Sequence, residues 1–225
     1  MSEPRIIFAG GGGELDSRPL DEIFAGWVGP QGRVLYLPIA VMTRAAMEDS
    51  QRWFRDTYGP LGLTRVDVWQ SLADRRAQDL AGYDALYIGG GNTFYLLDQV
   101  RRSGLQTALA DFIRAGQPAY GGSAGAILLS HDITSCAHID PDVVGLTDLG
   151  GLNLALGYTV WCHYQPADSL RIKDYVRYSG NPSIAVSERA GVRREGPDLF
   201  AAGYQPAYVF SGVKKRRILP GEKIN

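Results

Sequence analysis

Ser123 stands alone among small residues in the run Tyr120-Gly121-Gly122-Ser123-Ala124-Gly125, where an apolar strand pattern gives way to an apolar helical one. A hydroxyl on so tight a strand-to-helix turn has the form of a nucleophile elbow, and Gly121, Ala124 and Gly125 leave room for a backbone that few side chains tolerate. Small residues suit any short βα connection, so the turn means covalent catalysis only if a base and oxyanion donors accompany it. A second strand ends the same way, in Tyr87-Ile88-Gly89-Gly90-Gly91-Asn92-Thr93-Phe94. Ligands gather outside the carboxyl ends of strands in an open α/β sheet, so the two glycine turns should share one edge. There the backbone N–H groups of Ala124 and Gly90, with Gly91 as the alternative, are the candidate oxyanion donors. A phosphate-binding loop is the competing use of such glycines. The Lys-Ser/Thr ending of a P-loop is missing, however, and no G-x-G-x-x-G with an acidic ribose ligand follows. The glycines at 10–13, after the first strand, read as a solvent-facing turn.

The base must come from three histidines, His131, His138 and His163. His163 ends the apolar run Thr159-Val160-Trp161-Cys162, which would bring an imidazole to the rim of a sheet. The other two fall in the irregular segment after the elbow helix. A carboxylate must then fix the imidazole tautomer. Glu188, just beyond the run Ser183-Ile184-Ala185-Val186-Ser187, is the favoured acid. Asp140 and Asp142 flank Pro141 as turn residues, and Asp168 precedes a helical run as an N-cap would.

The elements that position these groups alternate in type. Strand patterns at residues 5–9, 33–37, 65–69, 85–88 and 119–120 are separated by helical patterns at 44–58, 93–102 and 105–115. This is the order of an α/β protein with a parallel sheet. In the second half, short strands at 159–163, 184–186, 191–194 and 199–202 are broken by Gly, Pro and Asn, with one helix at 168–178. No linker divides the chain, and a single domain over residues 1–225 is expected.

Lys and Arg are scattered and the formal net charge is −1, so no broad basic face exists to track a nucleic-acid backbone. The run Lys214-Lys215-Arg216-Arg217 reads as a solvated end. Cys136 and Cys162, the two cysteines, lack metal-ligand spacing and read as reduced thiols of a cytoplasmic protein. The N-terminus has no signal-peptide pattern, and no apolar run approaches the roughly 20 residues that span a bilayer.

Taken together, Ile88-Gly89-Gly90-Gly91-Asn92-Thr93, Gly122-Ser123-Ala124-Gly125-Ala126, His163 and Ile184-Ala185-Val186-Ser187-Glu188 resemble the peptidase E family of aspartyl dipeptidases and cyanophycinases. The resemblance runs from the first strand to about residue 202. It implies a three-layer α/β/α sandwich with a mainly parallel sheet, of the class I glutamine amidotransferase-like, flavodoxin-like type. It further implies a serine peptidase acting on short peptides through a Ser-His-Glu or Ser-His-Asp triad, without metal or cofactor, and it admits a homodimer. Carried over by position, Ser123 is the nucleophile, His163 the base, Gly90 and Ala124 the oxyanion donors and Glu188 the acid. Asp140 is the alternative acid, in the loop after the elbow helix.

An aspartyl dipeptidase also needs a cation for the substrate's side-chain carboxylate, ideally an arginine that binds it bidentately. Arg171 is the candidate, with an exposed pairing to Asp168 or Asp174 as its other reading. Tyr164, Gln165, Asn92 and Thr93 are expected to line the pocket, Asn92 and Thr93 being equally explicable as a helix cap. The segment 162–167 lacks the longer acidic and basic stretch of the aspartyl dipeptidases, which leaves other dipeptidase or carboxypeptidase-like selectivities open. A cyanophycin-cleaving hydrolase and a non-hydrolytic, amidotransferase-like binding protein are the alternatives.

Overall fold

A computed structural model of the chain describes residues 3–225. Strands β1 (Arg5–Ala9), β2 (Val34–Leu37), β4 (Ala85–Ile88) and β5 (Ala119–Gly122) are short, apolar and buried along nearly their whole length. Strands apolar on both faces belong in a parallel sheet covered on both sides. That is where they lie: with β3 (Val66–Val68), β8 (Ala190–Glu195) and β9 (Asp198–Gly203) they form a seven-stranded sheet in the order β3-β2-β4-β5-β1-β8-β9. The first five strands are parallel, and β8 and β9 close one side antiparallel.

Because successive side chains on a strand point to opposite faces, each strand contributes to two cores. Ile6, Phe8, Leu35, Leu37, Leu86 and Ile88 face α3 (Thr93–Arg102), α4 (Gln106–Arg114) and α5 (Ala124–Leu129). Ile7, Val34, Tyr36, Ala85, Tyr87 and Tyr120 face α1 (Glu14–Val28) and α2 (Arg44–Tyr58). The result is a three-layer α/β/α sandwich. None of the helices among the described residues is long and apolar enough to cross a membrane.

A smaller sheet has the order β11-β10-β7-β6, made of β6 (Thr159–Trp161), β7 (Ser183–Ala185), β10 (Ala207–Ser211) and β11 (Lys214–Ile218). Within it β6 and β7 run parallel, and helix α6 (Ser169–Ser179) connects them. Val160, Ile184, Val209 and Ile218 share one apolar cluster with Ile6 and Phe8, so the two sheets are joined by a common core.

Three elements differ from the sequence reading, one of them β10, for which no strand pattern was read at residues 207–211. The basic run 214–217 is not a solvated end but the edge strand β11, whose exposed charges blunt an otherwise pairable edge. Lys215 Nζ lies 4.5 Å from the Tyr208 ring centroid and donates to Tyr164 Oη at 2.8 Å. Helix α1 has no counterpart among the helical patterns read from the sequence, and it contains Pro19, which removes a backbone donor and normally breaks a helix. It forms because Leu20, Phe24 and Ala25 bury against the sheet.

Helix α1 also buries Asp21, whose carboxylate accepts from Tyr58 Oη at 2.7 Å and Ser17 Oγ at 2.8 Å. Burial raises its carboxyl above the ordinary carboxylate range, partly offset by those donors. The pair ties α1 to the end of α2 and anchors a layer of rings in which Tyr87 stacks on Tyr120 at 4.6 Å and Tyr36 meets Tyr87 edge-on at 5.3 Å. That layer is the floor beneath the carboxyl ends of β4 and β5.

Candidate active site

Strand β5 lies between β1 and β4, so the turns that follow all three emerge side by side. Ser123 follows β5 directly, with φ 49° and ψ −110°. A non-glycine residue held there costs about 1–3 kcal/mol and persists only when its surroundings impose it. They do so through close packing. A Cβ on Gly121 would fall 2.6 Å from the Ala126 nitrogen, and one on Gly125 would fall 2.2 Å from the Ile88 oxygen. The Ser123 N–H donates to the Ala9 carbonyl at 3.1 Å, which fastens the turn to β1.

His163 arrives from the other sheet. It follows β6, has φ 54°, and its N–H donates to the Gly10 carbonyl at 3.0 Å. Its Nε2 lies 2.8 Å from Ser123 Oγ, while Nδ1 lies 3.2 Å from Glu188 Oε1. With the proton on Nδ1, held by the carboxylate, Nε2 is left to accept from the serine hydroxyl. Glu188 stands just beyond β7, the parallel neighbour of β6, so strand pairing in the second sheet brings the imidazole and the carboxylate together. The Glu188 side chain is 59% exposed and that of His163 32%. Water therefore screens the outer contact more than the inner one.

Gly90 borders the serine: a Cβ there would lie 3.4 Å from Ser123 Cβ. The N–H groups of Gly90 and Ala124 take no hydrogen-bond partner among the described residues. Gly91 has φ 141° and is wedged against the loop after β2, where a Cβ would meet the Ala40 oxygen at 2.4 Å.

The turn at 10–13 is the main correction at the site. Instead of facing solvent, it presses onto the catalytic candidates. A Cβ on Gly10 would fall 1.9 Å from the Ser187 oxygen, and one on Gly12 would fall 2.3 Å from the Glu188 oxygen. On Gly11, with φ 104°, it would fall 2.3 Å from His163 Cε1, 2.7 Å from Nε2 and 3.0 Å from Ser123 Cβ. The signal was present in the sequence, since four successive glycines exceed what a turn requires and mark a close approach of backbone to something else.

The remaining candidates are placed elsewhere. Asp140 Oδ2 accepts from the Thr93 N–H at 2.8 Å and from Thr93 Oγ1 at 2.6 Å, so it is engaged at the start of α3. Asn92 caps the same helix, its Oδ1 accepting from the Tyr95 N–H at 2.8 Å, and its Nδ2 donates to the Pro141 carbonyl at 2.9 Å. Tyr164 is buried, and its hydroxyl lies 2.9 Å from Ser169 Oγ. Gln165 is exposed, and its N–H donates to Asp168 Oδ2 at 2.8 Å. Arg171 lies on the exposed side of α6, 3.8 Å from Asp168. His131 Nδ1 lies 3.3 Å from Asn153 Oδ1, and His138 stacks on Trp161 at 4.0 Å. Cys136 and Cys162 are buried and unpaired.

A cavity of about 380 Å³ opens beside Ser123 between the glycine turns, walled by Tyr36, Trp53 and Tyr87 with Asp49 and Ser50. Of the pocket residues expected from the sequence, Asn92, Thr93, Tyr164, Gln165 and Arg171 are all absent from its lining. No cluster of three or more His, Cys, Asp or Glu side chains among the described residues is arranged to hold a metal ion.

Residues 6–200 match the model of peptidase family S51. A curated relative, peptidase E of Shewanella baltica, is 28% identical over 152 residues, which cover 64% of this chain and 63% of that protein. The match thus spans slightly less than two thirds of the relative's length. Among solved structures, a peptidase from an acI-B1 actinobacterium superposes with a TM-score of 0.78 at 16% identity, covering 99% of this chain and 97% of that one. A candidate peptidase E of Listeria monocytogenes gives 0.70 at 22% identity, covering 91% and 100% respectively. At these identities the structural likeness concerns the fold.

Proposed function

The chain belongs to peptidase family S51, and from that membership we propose that it is a serine peptidase hydrolysing short peptides through an acyl-enzyme. One observation carries the reading: an unbroken line of contacts joins Ser123 Oγ, the His163 ring and the Glu188 carboxylate. In the proposed reaction Ser123 Oγ attacks the peptide carbonyl carbon while its proton passes to His163 Nε2. The N–H groups of Gly90 and Ala124 receive the developing oxyanion. Collapse breaks the C–N bond, and the departing amine takes the proton from His163. Water then attacks the acyl ester with His163 again as base, which releases the acid and restores the serine. Glu188 keeps the proton on Nδ1 and stabilises the imidazolium.

The test is reaction with a fluorophosphonate probe together with a panel of dipeptides and short peptides with free or blocked ends. Stoichiometric labelling of Ser123 and release of free amino acids are expected. A properly folded protein that neither labels nor cleaves any peptide would be a binding protein.

The acid is tested separately. Glu188→Gln is expected to lower kcat roughly ten- to a hundredfold with little change in KM. This is less than the about 10⁴-fold cost at a buried triad acid, because an exposed carboxylate is already screened. Asp140→Asn keeps an acceptor for Thr93 and is expected to leave kcat within about threefold. The reverse ranking of the two variants would assign the role to Asp140.

A further inference from the structure

The cavity beside Ser123 has a chemistry of its own, and resting on the peptidase reading above, we propose that it is the subsite for an uncharged, flat apolar side chain, with phenylalanine or leucine preferred and aspartate rejected. The side chain concerned belongs to the residue that supplies the scissile carbonyl. Gly90, the oxyanion donor proposed above, and Ser123, the proposed nucleophile, both form part of the cavity wall, so the residue whose carbonyl they would engage is the one that presents its side chain to that wall.

Three aromatic rings, those of Tyr36, Trp53 and Tyr87, make the walls. Tyr36 stacks on Phe54 at 4.7 Å, and Tyr87 stacks on Tyr120 at 4.6 Å. Rings backed by other rings cannot swing aside, so the cavity is preformed and its shape selects a flat or branched apolar group. The hydroxyls nearby bring no charge. Ser50 Oγ donates to the Ala46 carbonyl at 2.7 Å, and burial pushes the Tyr36 phenol up to about 12, so it stays neutral.

The charge in the lining has the wrong sign for an acidic substrate. Asp49 is the one ionisable carboxylate there, and no Lys, Arg or His joins it. Arg52, on α2, is paired with Asp49 and lies outside the lining. Arg171 is paired with Asp168 on a helix of the other sheet. An aspartyl side chain entering this cavity would lose water against three rings, and the lining itself holds no cation to receive it, Arg52 being engaged by Asp49.

The experiment compares kcat/KM for dipeptides that differ only in the residue supplying the carbonyl: Phe, Leu, Ala and Asp. Phe and Leu substrates are expected to exceed Ala by roughly tenfold and Asp by at least about a hundredfold. Trp53→Ala should lower Phe turnover roughly ten- to a hundredfold while leaving Ala turnover within about threefold, a split that a general loss of folding would not produce. Arg52→Ala should leave the ranking unchanged. Aspartyl substrates cleaved as fast as phenylalanyl ones, equal losses for Phe and Ala in Trp53→Ala, or selective loss of aspartyl turnover in Arg52→Ala would each overturn the proposal. Fluorophosphonate labelling of Ser123 in the wild-type protein is scored alongside. Its failure would overturn the peptidase reading itself, whereas labelling with the wrong ranking would overturn only the subsite.

Discussion

Ser123→Ala is expected to lower peptide turnover by on the order of 10⁴-fold or more and to abolish fluorophosphonate labelling, while the fold is retained. The variant removes the oxygen 2.8 Å from His163 Nε2 and nothing that the core depends on. Alanine inherits the same strained backbone, so stability should change little. Ser123→Gly separates chemistry from strain. At φ 49° and ψ −110° a glycine relieves a penalty of about 1–3 kcal/mol, so this variant should be equally inactive yet melt higher. Turnover within tenfold of wild type in Ser123→Ala would remove Ser123 from the mechanism. A Ser123→Gly protein no more stable than Ser123→Ala would show that the turn is not strained.

The second large effect comes from a residue with no side chain. Gly11→Ala is expected to lower kcat roughly a hundredfold, because its Cβ would stand 2.3 Å from His163 Cε1 and 2.7 Å from Nε2. The imidazole must then leave the serine, and a displacement of about 1 Å at a reacting group costs on the order of 10² in rate. The backbone adds to the effect, since φ 104° disfavours any L side chain. Gly13, in the same turn, is the control. It has φ −75° and ψ −178°, and a Cβ there would meet nothing within 4 Å. Gly13→Ala should therefore leave kcat within about twofold. Comparable losses in both variants would mean that the turn tolerates no substitution for reasons unrelated to His163. Unchanged activity in Gly11→Ala would mean that the ring and the turn are free to separate.

Local signals in the sequence were enough for most of the sandwich. Residues 5–9 and 85–88 are apolar runs that end in glycines, and 44–58 carries its buried Phe54, Thr57 and Tyr58 at helical spacing after the cap Thr43. Such elements are encoded within a few residues, by side-chain period and by what stops the run. Helix α1 was not legible because Pro19 argues locally against it, and only burial of Leu20 and Phe24 against β1 and its neighbours outweighs that. Strand β11 was hidden because four basic residues look solvated, and only pairing with β10 makes a strand of them.

At the site, the chain by itself determined where a strained hydroxyl must stand, because Gly121, Ser123 and Gly125 encode that turn in five consecutive positions. The tertiary structure alone decided what surrounds it. Ser123 and His163 meet across two sheets, Glu188 joins them through the pairing of β7 with β6, and Gly11 fits against the imidazole ring from the turn after β1. Each of those contacts spans many residues of sequence, and nothing local in either partner specifies the other. The same reason separates Asp140 from Glu188. Both are carboxylates beside turns, and only packing engages one with Thr93 and leaves the other beside His163.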